Sequence, residues 1–192
     1  MGNLGLPSAE RGALTVEFSL ALVLFLTLIF MIMELSRAMY LWNTVQEVTR
    51  QAARAASVSD FSSAATMDRV RQQAIFRDGP GQLALGGAID DRYVRIDYLS
   101  LDSAGQMHQL PVLPPCPMQN LINCINDPNG TGCVRFVRAR LCLPGGDADS
   151  CAPVPYQPMV PLLGDLSLML PTSDTVVVAE SLGYRPGSAA CS

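Results

Sequence analysis

The side chains able to do chemistry in this sequence are few, and most lie in its C-terminal half. Cys116, Cys124, Cys133, Cys142, Cys151 and Cys191 are joined there by the only histidine, His108. A structural zinc site takes close cysteine pairs such as C-x2-C together with histidines. Here the first five cysteines are instead eight or nine residues apart. An even number of cysteines in a soluble region beyond an apolar segment reads as disulfides formed in an oxidising compartment, and spacing alone does not choose among their possible pairings. A hydrolytic triad would need His108 as its base, yet it follows a turn at Gly105-Gln106-Met107 with no catalytic motif beside it. Asp90-Asp91 and the Asp147/Asp149 pair fall short of the ligand count of a calcium loop. No G-x-x-x-x-G-K-[ST] phosphate loop is present, and Asn129-Gly130-Thr131 reads as a turn. No catalytic residue, metal, cofactor or small-molecule substrate is therefore expected.

One further ionisable group sits in an unusual place. Residues 13–33 form an apolar run interrupted near its start by Glu17. As a helix the run would be roughly 31 Å long, about the hydrocarbon thickness of a bilayer. A carboxylate within a span costs about 2.5–3.5 kcal/mol at mid-bilayer and less near the edge, so it needs a partner, proton or water. The helical pattern continues past the run, with Leu35, Ala38, Trp42, Val45, Ala52 and Ala56 at three-, four- and seven-residue spacing. Glu34, Arg37, Asn43, Gln46, Glu47, Arg50 and Arg54 would then face water or neighbouring chains. This predicts one helix over residues 13–57, about 67 Å long, half of it projecting from the bilayer. Tyr40 and Trp42 suit either the membrane interface or packing against the soluble domain.

After the helix the pattern becomes that of an α+β domain. A short helix is expected over 62–76, capped by Ser62 or Ser63, with Met67, Val70 and Ala74 on one face and Gly79-Pro80-Gly81 as its end. Val94, Ile96 and Tyr98 alternate with Arg95 and Asp97 as in a half-buried strand, and Asp102-Ser103-Ala104-Gly105 supplies a turn. Residues 134–142 read as a second strand and the β-branched run 175–179 as the last. Loops rich in proline and glycine fill 111–117, 127–132 and 145–161, where the cysteines would act as staples.

The N-terminal order carries a resemblance. Residues Arg11-Gly12, then Val16-Glu17-Phe18, then Glu34 and Arg37 at the helix exit and Ala52-Ala53-Arg54 resemble the TadE-like minor pilins or pseudopilins of tight-adherence (Tad/Flp) type IV pilus systems. The resemblance covers residues 11 to about 57. It implies cleavage by a prepilin peptidase between Gly12 and Ala13, which leaves Glu17 as the fifth mature residue. It also implies assembly contacts through Glu17, Phe18, Glu34 and Arg37, with other pilins and the Tad machinery as partners. Family members often carry a proline in the first half of the helix. Here Ala21-Leu22-Val23-Leu24 stands there, and a straighter helix is expected.

The expected organisation is a leader over 1–12, with Pro7 blocking a continuous helix and Ser8 available as a cap, an anchor helix over 13–57, and a periplasmic cysteine-rich α+β domain over 58–192. A net charge of −4 and scattered arginines give no field for nucleic acid. Positive-inside reasoning does not favour a cytoplasmic N-terminus, because only Arg11 precedes the run while Arg37, Arg50 and Arg54 follow it. The processing motif and disulfide-type cysteines require that orientation, with the chain in the bacterial inner membrane and open to incorporation into a pilus. The alternative is an uncleaved signal anchor carrying an extracytoplasmic binding or adhesion module.

Overall fold

The computed structural model describes residues 9–146, 150–159, 168–187 and 191, with side chains from Ala13 onward. The expected break at Pro7, the cap at Ser8 and the Asp147/Asp149 pair lie outside these residues. Helix α1 runs without interruption over Ala9–Val58. It begins four residues earlier than expected, so the Gly12–Ala13 bond lies inside helical backbone. Nothing in Glu10-Arg11-Gly12 forbids this, since one glycine in a helix costs only about 1 kcal/mol.

Burial along α1 follows its pattern. No residue of the apolar run is buried, whereas beyond it Glu34, Arg37, Leu41, Thr44, Val45, Val48, Thr49, Ala52, Ala53, Ala56 and Ser57 are all buried. Their three- and four-residue spacing makes one continuous stripe. Trp42 and Leu35, placed by periodicity on the same face as Val45, are exposed instead. The stripe is centred on Leu41 and Val45, which turns both away from the domain. Tyr40 is exposed as well, so neither aromatic packs into the domain core.

Helix α2, Ala64–Ala74, packs on α1 through Met67, Val70 and Ala74. The Ser63 side chain caps it by accepting from the Thr66 N–H. It ends short of Gly79-Pro80-Gly81, because Phe76 turns left-handed at φ +60°. A 3-10 turn, Asp91–Tyr93, leads into a four-stranded antiparallel sheet made of β1, Val94–Leu101; β2, Met107–Gln109; β3, Phe136–Leu141; and β4, Asp174–Val178. The strand order is β2-β1-β3-β4. Strands β1 and β3 pair from Val94 opposite Leu141 to Leu99 opposite Phe136, and β3 pairs with β4 from Phe136 opposite Val178 to Arg140 opposite Asp174.

The C-terminal half of α1 lies across one face of this sheet. Leu41, Val45, Val48, Ala52 and Ala53 form a core with Val94, Ala139 and Leu141, while Ala56 joins Phe61, Tyr98 and Val137 further along. Small residues at 52, 53 and 56 let helix and sheet approach closely. A buried hydroxyl group crosses the contact: Thr49 Oγ1 lies 2.7 Å from Ser173 Oγ and 3.0 Å from Thr175 Oγ1. The end of α1 is satisfied by the C-terminal segment, where the N–H groups of Glu180 and Leu182 both donate to the Ser57 carbonyl. Gly183 is needed in that crossing, for its φ is +83° and a Cβ there would lie 2.4 Å from the Asp60 nitrogen.

One helix occupies a stretch to which the sequence reading assigned no element, between the expected loops at 111–117 and 127–132. Helix α3, Pro117–Asn126, starts on Pro117 just after Cys116. Asn120 fixes it, its Oδ1 accepting from the Val134 N–H at 2.8 Å, while Asn123 Nδ2 donates to the Gly132 carbonyl at 2.9 Å. The six cysteines form three pairs: Cys116–Cys191, Cys124–Cys133 and Cys142–Cys151, with Cα atoms 5.7, 4.8 and 5.0 Å apart. The first closes a loop of 75 residues and the others 9 each. On chain entropy these contribute about 4.5 and about 2.6 kcal/mol respectively. The architecture is thus α+β, a long apolar helix followed by a small disulfide-stapled domain.

Candidate functional site

The residues expected to serve assembly separate into two places on α1. Glu17 and Phe18 are exposed on the apolar run, and Glu17 has no hydrogen-bond or ion-pair partner among the described side chains. Glu34 and Arg37, one turn apart at the end of that run, behave differently. The sequence reading turns them toward water or neighbouring chains. In the structure both are buried against the chain's own loops.

Arg37 is the centre of this knot. Its Nη1 donates to Glu34 Oε1 at 3.1 Å, to Tyr156 Oη at 3.1 Å and to the Gln157 carbonyl at 2.8 Å, while its Nε donates to the Leu85 carbonyl at 2.9 Å. The guanidinium also lies 5.1 Å from the centroid of the Tyr156 ring, within cation–π range. Tyr156 Oη donates in turn to Glu34 Oε1, and the Met159 N–H points at both Glu34 oxygens from 3.3 Å. Gly87 turns the Leu85 loop past the cluster at φ +66°, where a Cβ would press on Gln157 Oε1.

Electrostatically the knot is closed. Removal from water pushes the Glu34 carboxyl up, but the hydrogen bonds from Tyr156 and Met159 and the charge of Arg37 outweigh it, leaving the pKa below the ordinary value. Burial and the bond to Glu34 raise the Tyr156 phenol. With both charges buried, the pair's attraction is largely spent on desolvation, so its net contribution is small while it is intact. Its effect is positional: it fastens the loops around residues 85 and 156–159 to α1 directly after the apolar run.

A second charged cluster lies on the sheet face away from α1. The alternation of β1 sets Arg95 and Asp97 toward solvent, and the same reading sets Arg138 and Arg140 there. Asp97 is nevertheless buried, because three arginine stems cover it. Arg95 Nε lies 3.0 Å from Oδ1, while Arg140 Nη2 and Arg138 Nε lie 2.6 and 3.3 Å from Oδ2. Arg138 also reaches Gln109 Oε1 at 3.3 Å, tying β3 to β2. The cluster cross-links three strands and carries no group poised for catalysis.

The remaining candidates are partnered locally. His108 on β2 meets Asp102 at 2.9 Å across the exposed β1–β2 hairpin. Asp90 accepts from the Arg92 backbone and side chain at the 3-10 turn. Among the described residues, no three His, Cys, Asp or Glu side chains converge on a metal-sized site.

Helix α1 is long and apolar enough to cross a bilayer, and the buried Glu34–Arg37 pair follows directly on its apolar run. Residues 12–54 match the model of the TadE-like protein family. The matched segment begins at Gly12, contains Glu17, Glu34 and Arg37, and stops within the buried stripe of α1. No curated protein and no solved structure matches the chain.

Proposed function

We propose that this chain is a minor pilin-like subunit, anchored in the bacterial inner membrane and required for assembly of Tad/Flp pili and for adherence. The observation that carries this reading is the TadE-like match over residues 12–54, which opens at the expected processing glycine and takes in Glu17. The role is structural rather than catalytic. The disulfide-paired domain faces the periplasm, and the N-terminus is cytoplasmic.

In this reading prepilin peptidase cuts between Gly12 and Ala13. Gly12 is the weak point of the first helical turns, and local unwinding there would present the bond. Cleavage leaves a charged amine at the membrane edge, one helical turn from Glu17. Each charge is costly alone in that setting, so pairing Glu17 with the amine of Ala13 on a neighbouring subunit neutralises both and sets the axial register. Phe18 lies beside that contact. The partners are other pilins or pseudopilins and the Tad assembly machinery, with no nucleic acid or small-molecule substrate.

A strain lacking the chain should lose surface pili and adherence, and the full chain should restore them. Glu17→Ala should insert in the membrane yet fail to restore assembly. Normal piliation in the deletion strain would overturn the proposal, and normal incorporation of Glu17→Ala would overturn the pairing.

A further inference from the structure

At the base of the domain, the knot on Arg37 gathers two loops against the end of the apolar run. We propose that this base is a lipid-binding surface: Leu85 and Met159 enter the bilayer interface beside α1, so the domain sits on the membrane instead of standing off it on a helical stalk. The proposal rests on residues 13–33 spanning a membrane, and is independent of any role in a pilus.

Four observations support it. First, the surface is continuous with the span. Glu34 directly follows Met33 and receives the Met159 N–H, while Arg37, one turn on, holds the Leu85 carbonyl at 2.9 Å. Both loops are therefore bonded to α1 within the first turn past the apolar run. Second, their apolar side chains are turned outward. Leu85 is 56 % and Met159 67 % exposed, comparable with Met33 at 62 % on the span itself.

Third, the loops carry no charge. Residues 79–89 and 151–159 contain no Asp, Glu, Lys or Arg. Leu85 moreover adopts a left-handed backbone, φ +57°, at a position where glycine would fit without steric cost. An apolar side chain held outward in that conformation is unfavourable in water and suited to lipid. Fourth, the helix shows the same character on its free side, where Leu35, Met39 and Trp42 are exposed at i, i+4 and i+7. Tryptophan at this level is the residue type that prefers the headgroup region. Helix and loops together expose apolar side chains along the first two turns or so past the span, about 10 Å from Leu35 to Trp42, and the bonds to Glu34 and Arg37 tie the loops to the start of that stretch.

The test is the lipid exposure of nitroxide labels on variants of the full chain that each carry one added cysteine, one chain per lipid nanodisc of phosphatidylethanolamine and phosphatidylglycerol. The native cysteines are paired, so labelling under non-reducing conditions reaches only the added thiol. Leu85→Cys and Met159→Cys report the base, and Val23→Cys reports the span. Ala104→Cys reports the far end of the sheet, since β1 starts beside Leu41 and reaches the level of Ala56 at Tyr98.

Labels at 85 and 159 should collide more with oxygen and less with a water-soluble nickel chelate than the label at 104, approaching the behaviour of position 23. Water-like collisions at 85 and 159, with position 23 in lipid, would overturn the lipid surface while the span stands. Shielding of both labels from oxygen and nickel alike would overturn it in favour of a protein contact. A water-exposed label at position 23 would remove the span, and the proposal with it.

Discussion

Residues 13–33 and 34–58 belong to the same unbroken helix, yet they meet different surroundings. The first stretch is apolar nearly all round, Glu17 apart, and has no buried residue; the second buries a stripe beginning at Glu34 and turns polar on its free side beyond Trp42. A helix apolar all round has no single face for a core and needs lipid or other helices around it. A helix with one stripe can complete a sheet domain, and here it does so with Leu41, Val45, Val48 and Ala52. The change falls at the buried ion pair, which joins the two regimes without a loop between them. The domain is therefore joined to its anchor by unbroken helical backbone.

The sharpest way to break this contrast is at the joint. Arg37→Ala leaves the Glu34 carboxylate buried without its cation and should destabilise the domain by about 3–5 kcal/mol. Urea unfolding of the full chain in detergent, followed by hydrogen exchange at strand amides, measures it. The double variant Glu34→Gln, Arg37→Met should cost much less, because no buried charge remains unpaired. Equal losses in the two variants would mean that the knot acts by shape alone.

Next in size is a matched pair of truncations on the two sides of the joint. Leu41→Ala, within the stripe, should cost about 2–5 kcal/mol by the same measurement. Leu24→Ala, on the exposed run, should change domain stability by no more than about 0.5 kcal/mol. A comparable loss at Leu24 would show that the domain packs on the apolar half as well.

Thr49→Val sharpens the packed half further. It keeps the shape but removes the hydroxyl bonded to Ser173 and Thr175, and should cost about 1–2 kcal/mol. The smallest effect is that of pH. The hydrogen bonds from Tyr156 and Met159 and the charge of Arg37 hold the folded-state Glu34 carboxyl below its ordinary pKa. Its contribution is therefore present above that value and lost as pH falls through the lower, folded one. Glu34→Gln should flatten this part of the acid unfolding profile; an unchanged profile would assign the acid sensitivity to other carboxylates.

What the sequence made legible was local. The continuation of α1 past the apolar run to about residue 58, the three strands around Ile96, Val137 and Val177, the Ser63 cap and the pairing of an even set of cysteines all follow from periodicity or counting. Which cysteines pair does not, because it depends on where α3 and the C-terminus lie in space. Helix α3 itself left a signal, Pro117 at its start followed by apolar residues at 118, 121, 122 and 125, but it is short and flanked by proline and glycine.

The candidate site was legible only in part. Glu34 and Arg37 were singled out, but not what they touch: Tyr156 is 119 residues from Arg37 and the Leu85 carbonyl 48, separations that no helical or strand period encodes. Asp97 shows the same limit. Alternation gave its face correctly, while its burial depends on Arg138 and Arg140 arriving from another strand.

The central claim is that α1 serves as the anchor of a processed, pilin-like subunit. The most direct test is the N-terminal sequence of the membrane-extracted protein, taken with and without the host's prepilin peptidase. A mature chain beginning at Ala13, seen only when the peptidase is present, is the predicted result. An intact N-terminus in both strains would contradict it and leave α1 as a plain signal anchor.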